Sequence, residues 1–142
     1  MSEPKIIVID GRGGGIGKSL VEKLRYTMPQ ADIIAIGTNP VATEVMLRAG
    51  ATSSYTGEAS IQEYAKKADL IMGVMGILIP HGLMGELTPA MVMAITESDA
   101  MKVLVPMNRC GIKVPVEDKP LSSHIEAAIE LAKTELLRLS SN

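Results

Sequence analysis

The chain has no tryptophan, no phenylalanine and only three tyrosines, Tyr26, Tyr55 and Tyr64. Platforms on which single-stranded RNA bases stack are therefore missing. A core without aromatics must be aliphatic. Hydrophobic residues still make up 46% of the 142, and ten of them are Met, a side chain that packs adaptably. Charge of one sign is also scarce: 14 basic residues stand against 16 acidic ones, a net of −2, with no basic cluster. That excludes the electrostatic footprint of a nucleic-acid binder. The single cysteine, Cys110, excludes an internal disulfide framework and fits a reducing compartment. Met1-Ser2-Glu3-Pro4 lacks a signal-peptide pattern. The longest apolar run, Leu70 to Pro80, is too short to span a bilayer and holds Gly73 and Gly76. These readings predict a soluble cytoplasmic protein without a membrane partner, one domain over residues 1–142 and large enough for a real core.

What the chain has is glycine in one place. Asp10-Gly11-Arg12-Gly13-Gly14-Gly15-Ile16-Gly17-Lys18-Ser19-Leu20 carries five glycines in seven residues. The apolar run Lys5-Ile6-Ile7-Val8-Ile9 precedes it, and Ile16, Leu20, Val21 and Leu24 follow at helical spacing. Strand, glycine turn and helix form the setting in which a glycine-rich loop binds phosphate. Glycine has no Cβ to hold a ligand away, and the first-turn N–H groups of the helix face the anion. On this reading a Cβ at Gly15 or Gly17 would occupy the ligand's approach.

Other signals order the rest. Strands are predicted at Lys5–Asp10, Ala31–Gly37, Thr52–Tyr55, Leu70–Val74 and Lys102–Pro106. Helices are predicted from Gly15 to Tyr26 and from Val41 to Ala49, the second capped by Asn39-Pro40. Ser60 and Glu63 predict a capping box for a helix reaching Ala68, and Thr88-Pro89 opens a helix through Ile95. Leu121, Ile125, Ala128, Ile129, Ala132 and Leu136 mark one face of the last helix. Strands that alternate with helices and read as continuous apolar runs imply a parallel sheet covered on both faces. Right-handed crossovers then favour an α/β, three-layer doubly wound (Rossmann-like) fold of order 3-2-1-4-5, with ligands at the C-terminal strand ends where the order reverses. That edge gathers the glycine loop, Thr38, Asn39, the Gly76–Leu87 loop and Asn108-Arg109-Cys110.

Three phosphate-loop patterns compete. The pattern G-x-x-x-x-G-K-[ST] is met at its end by Gly17-Lys18-Ser19, but its first glycine would fall on Arg12. No acid for Mg²⁺ follows Val74 or Pro106. The pattern G-x-G-x-x-G would need its third glycine at Ile16. The third spacing, Gly11-x-x-x-Gly15-Ile16-Gly17, resembles the G-x-x-x-G-I-G loop of short-chain dehydrogenases/reductases. The resemblance covers the first strand, turn and helix and implies cofactor binding. It does not extend to the family's Tyr-x-x-x-Lys pair, since no Lys lies four residues beyond any tyrosine.

Strand two ends in Gly37-Thr38-Asn39, without the acid that binds the ribose 2′-OH of NAD. Hydroxyl and amide groups there, with Arg12 nearby, suit an extra phosphate and favour NADP over NAD. The plain alternatives are that Asn39 is only a helix cap and the glycine loop only tight packing. Asp10 either orients the loop or contacts ribose. His81 reads as a solvated surface residue, Glu86 as a group serving the next helix, and Cys110 as inert or ligand-lining. No spacing of His and Cys makes a metal site.

The whole chain resembles a family of small bacterial proteins, the domain of unknown function 3842. The matching residues include Val8-Ile9-Asp10-Gly11, Gly13-Gly14-Gly15-Ile16-Gly17-Lys18-Ser19-Leu20, Gly37-Thr38-Asn39, Ala65-Lys66-Lys67-Ala68-Asp69, Gly85-Glu86-Leu87-Thr88-Pro89 and Val116-Glu117-Asp118-Lys119-Pro120-Leu121. The resemblance implies a Rossmann-like fold and carries over no activity or catalytic residue.

Three functions remain open. One is a domain binding NAD, NADP or another adenine nucleotide in a sensing or regulatory role, held by Asp10, Gly11, Arg12, Gly13, Gly14, Gly15, Ile16, Gly17, Thr38, Asn39 and Gly76. The second is a small NADP-dependent oxidoreductase or transferase. The third is a nucleotide-free interaction module. Ile77, Leu78, Ile79, Leu83, Met84, Met91, Val92, Met93 and Ile95 exceed what one helix side can bury. They predict a homodimer interface or, alternatively, a loop folded back over the nucleotide site.

Overall fold

In a computed structural model, which describes residues 3–141, five parallel strands form one sheet in the order β3-β2-β1-β4-β5. The strands are β1 (Lys5–Asp10), β2 (Asp32–Gly37), β3 (Ser53–Thr56), β4 (Leu70–Val74) and β5 (Met101–Val105). The helices are α1 (Gly15–Thr27), α2 (Pro40–Arg48), α3 (Glu58–Ala65), α4 (Pro89–Glu97) and α5 (Leu121–Ser140). α1 packs beside α2 and α5, while α3 packs on α4. The two groups cover opposite faces, giving the three-layer α/β fold predicted.

The apolar runs explain the order. Ile6, Ile7, Val8 and Ile9 are all buried because the central β1 is covered on both sides. β1 pairs with β2 from Lys5↔Asp32 to Asp10↔Gly37, and with β4 from Ile6↔Leu70 to Val8↔Met72. The edge strands β3 and β5 are only partly covered, and β3 is polar. The chain winds one way through β1, β2 and β3 and then crosses to β4. A crevice therefore opens beyond the C-terminal ends of β1 and β4. Among the described residues no helix is long and apolar enough to cross a membrane.

One local expectation fails. The Ser60/Glu63 capping box does not form. α3 begins at Glu58 after Gly57 and stops at Ala65 rather than Ala68. Glu58 supplies a negative charge to the first turn and accepts a 2.6 Å hydrogen bond from the Thr88 hydroxyl, which ties the start of α3 to that of α4. The segment from Ile77 to Ile95 divides between buried and exposed side chains. Met75–Leu78 forms a 3-10 turn. Ile77, Met91, Val92 and Ile95 are buried, and Leu78, Ile79 and Leu83 are partly buried. Met84 and Met93 remain exposed. Ile79, His81, Leu83 and Met84 of this segment border the crevice.

Leu20 of α1 is fully buried against the sheet, whereas Leu131 of α5 is 50% exposed. Leu20→Ala is expected to lower the unfolding free energy by about 2–5 kcal/mol, and Leu131→Ala by no more than about 0.5 kcal/mol. Urea denaturation checks both. Similar losses from the two would contradict this assignment of buried faces.

Candidate functional site

The glycine loop is held from below by Asp10. This carboxylate, only 7% exposed, ends β1 and accepts from the Gly11 N–H (2.8 Å) and the Gly17 N–H (2.7 Å). Of the two roles open to Asp10, orienting the loop is the one seen. Gly17 is needed here for close approach. A Cβ on it would lie 2.6 Å from Met46 Sδ and 2.8 Å from Asp10 Cβ. A Cβ on Gly17 would thus point into the packing beneath the loop rather than into the open side above it. Gly14 caps α1 at φ 74°, a left-handed conformation suited to glycine, and its N–H closes a turn to Gly11 C=O at 2.9 Å.

The upper side of the loop is open. A Cβ on Gly13 or Gly15 would meet nothing within 4 Å. α1 has no side-chain cap and no acidic residue in its first turn. Among the described residues, the N–H groups of Gly13, Gly15 and Ile16 have no protein acceptor. A cavity of about 660 Å³ lies over them. Asp10, the loop from Gly11 to Ile16, and Gly76 all line it, so eight of the eleven expected residues meet there. Its other walls come from the ends of β4 and β5 and the segments that follow, including Met75, Leu83, Met107, Arg109 and Ile112.

Backbone strain concentrates at this cavity. Arg12, His81, Leu83, Met84 and Cys110 have φ between 52° and 66°, and all five line it. Such conformations cost non-glycine residues roughly 1–2 kcal/mol each and gather where a site requires them. His81 and Cys110 are both exposed. Among the described residues, no group of three or more His, Cys, Asp or Glu could hold a metal ion.

Gly17, Thr38 and Asn39 lie off the cavity wall. Asn39 caps α2 as expected, accepting the Ala42 N–H through Oδ1 at 2.9 Å. Thr38 and Asn39 also belong to a network that sequence reasoning missed, centred on Glu86. Glu86 does not cap α4, whose cap is Thr88. Its Oε1 accepts from the Thr38 hydroxyl (2.6 Å), the Arg12 N–H (2.7 Å) and Asn39 Nδ2 (3.2 Å). Asn39 Nδ2 also donates to Arg12 C=O at 3.0 Å. The end of β2 therefore does have an acid beside it, delivered from the segment between β4 and α4. The premise on which NADP was favoured over NAD does not hold in space. No local pattern announces this contact, since Thr38 and Glu86 are 48 positions apart.

The two carboxylates titrate in opposite directions. Burial pushes Asp10 up, against the lowering effect of its two N–H donors, and the charge of Glu86 adds to the rise. The Thr38 hydroxyl and then the Arg12 N–H hold Glu86 below its ordinary value. The contribution of Asp10 to stability is present below the ordinary aspartate range and is lost as pH rises through its raised value. That of Glu86 is present above the ordinary glutamate value, about 4.3, and is lost as pH falls through its lowered one. Glu86→Gln is expected to weaken the loss of stability on acidification below about pH 4.3. Urea denaturation across that range tests this, and an unchanged profile would contradict the network.

Among solved structures, AibC bears on the fold alone. The crystal structure of AibC superposes with a TM-score of 0.52 at 16% identity, over 94% of this chain and 43% of AibC. The chain thus spans less than half of that protein. An AdoMet-bound rRNA methyltransferase from Sinorhizobium meliloti gives a TM-score of 0.48 at 12% identity, over 96% of this chain and 58% of its own. The cypemycin decarboxylase CypD gives 0.47 at 9% identity, over 89% and 77%. No curated protein matches the sequence. Residues 5–137, which carry every strand and most of α5, match the family profile described as "Domain of unknown function (DUF3842)", and the chain belongs to that family.

Proposed function

We propose that this protein binds an adenine nucleotide, NAD or NADP, with its diphosphate on the glycine loop, and acts as a sensing or regulatory domain. The observation that carries this reading is the group of N–H donors of Gly13, Gly15 and Ile16, without an acceptor among the described residues, beneath a cavity of about 660 Å³. They stand at the N-terminus of a 13-residue helix, where the helix dipole favours an anion. A Cβ-free surface there lets phosphate oxygens approach the backbone. The cavity also falls where doubly wound sheets take ligands, beyond the strand ends at the reversal of order. Its walls are largely apolar away from the loop, as befits a ring or chain attached to a phosphate.

A second reading, a small NADP-dependent oxidoreductase or transferase, has one observation in its favour. His81, Arg109 and Cys110 reach the wall of the same cavity. Substrate turnover by the purified protein with bound nucleotide separates that reading from the first.

The contrast between the two sides of the loop provides the test. Gly15→Asp puts a carboxylate into the open approach at the first turn of α1, where it suits the helix dipole but repels phosphate. It is expected to keep the thermal midpoint and to lose about tenfold or more in nucleotide affinity by calorimetry with NAD and NADP. Gly17→Val is expected to destabilise the fold itself by about 1–3 kcal/mol through overpacking. Wild-type protein that binds neither dinucleotide would overturn the reading, as would Gly15→Asp binding unchanged.

A further inference from the structure

We propose that Arg109 forms a second anion subsite in the cavity, so that the ligand is an adenine dinucleotide whose other half ends in a carboxylate. This rests on the nucleotide reading above and names the chemistry of the half that reading leaves open.

The cavity itself sets the direction. Beyond the glycine loop, its walls among the described residues come from β4, β5 and the segments that follow them. Thr38, Asn39 and Glu86, on the β2 side, bond to one another and do not reach the wall. A group attached to a phosphate on the loop therefore extends toward β5. β4 lies between β1 and β5, so the end of β5 stands roughly 10 Å along the sheet from the end of β1. That is the reach of a ribose with a ring attached. Met75, Ile79, Leu83 and Met107 line this path. Thioether and aliphatic side chains suit a flat ring.

A positive charge without a counter-charge stands at the far end. Arg109 lines the cavity, and among the described residues no acidic side chain lies within ion-pair distance of it. The one carboxylate on the described wall is Asp10, and it is spent: Oδ1 takes the Gly11 N–H and Oδ2 the Gly17 N–H. The backbone fixes Arg109 in place. The Ile112 N–H closes a turn on Arg109 C=O at 2.9 Å, and Asn108 Oδ1 accepts the Val114 N–H at 2.7 Å. Cys110 (φ 57°) and Gly111 (φ 75°) make that turn in left-handed conformations. A guanidinium takes a carboxylate through two parallel hydrogen bonds. A carboxamide cannot replace it, since its NH₂ would face a second donor. The ring of NAD also carries a positive charge, which Arg109 repels. Ligand that excludes water from this end makes the guanidinium–carboxylate pair stronger than an open surface pair.

The measurement is calorimetry with NAD and with deamido-NAD, the same molecule bearing a carboxylate in place of the carboxamide. Wild type is expected to prefer deamido-NAD by about tenfold or more. Arg109 is exposed, so its variants are expected to fold. Arg109→Gln is expected to bring the two affinities close together, and Arg109→Glu to reverse the preference. Taken within each protein, the ratio cancels any effect of the variant that both ligands share. Equal or tighter binding of NAD by wild type would overturn the inference alone, as would an unchanged ratio in Arg109→Gln. Binding of neither dinucleotide by wild type would overturn the nucleotide reading and this inference with it.

Discussion

A buried carboxylate at the end of the central strand fixes the geometry of the site. Asp10 accepts two backbone N–H groups, one from the start of the glycine loop and one from the first turn of α1. Strand, loop and helix thus share one anchor. Burial disfavours its ionised form, and the two donors act against that penalty. The same anchor requires glycine at position 17, because the helix lies too close to Asp10 and Met46 for a side chain. With its lower side committed in this way, the loop leaves the donors of Gly13, Gly15 and Ile16 on its upper side.

The second carboxylate joins pieces that the sheet topology only brings near. Glu86 ties the segment after β4 to the glycine loop and to the end of β2. The segment that reaches it is strained: His81, Leu83 and Met84 all have left-handed backbones. Its apolar side chains are largely spent on covering the crevice, which explains why a run that reads as surplus hydrophobic surface is mostly buried. Asp10 and Glu86 respond oppositely to their settings. One is buried and pushed up, while the other is better solvated and held down by its donors.

Much of this was legible in the sequence. The strand–glycine–helix unit, the cap-plus-proline starts at Asn39-Pro40 and Thr88-Pro89, and the strand order follow from local chemistry and from crossover handedness. Local patterns failed where a distant partner decides. Ser60 and Glu63 have the spacing of a capping box, yet α3 starts at Glu58, which bonds to Thr88 thirty positions away. Glu86 reads as a residue serving the next helix, yet its donors come from residues 12, 38 and 39. Gly15 and Gly17 are indistinguishable in the sequence, and only the packing of α1 on β1 shows that one faces open space and the other the core. Along the chain no acid follows Gly37, while in space Glu86 stands beside Thr38.

The most direct test of the central claim is a two-dimensional ¹⁵N–¹H titration of the protein with NAD. The account predicts that the largest shifts fall on the amides of Gly13, Gly15 and Ile16, whose N–H groups have no acceptor among the described residues, with smaller ones at Gly17, whose N–H stays bonded to Asp10. Spectra unchanged at saturating NAD, or changes that spare the glycine loop, would contradict it.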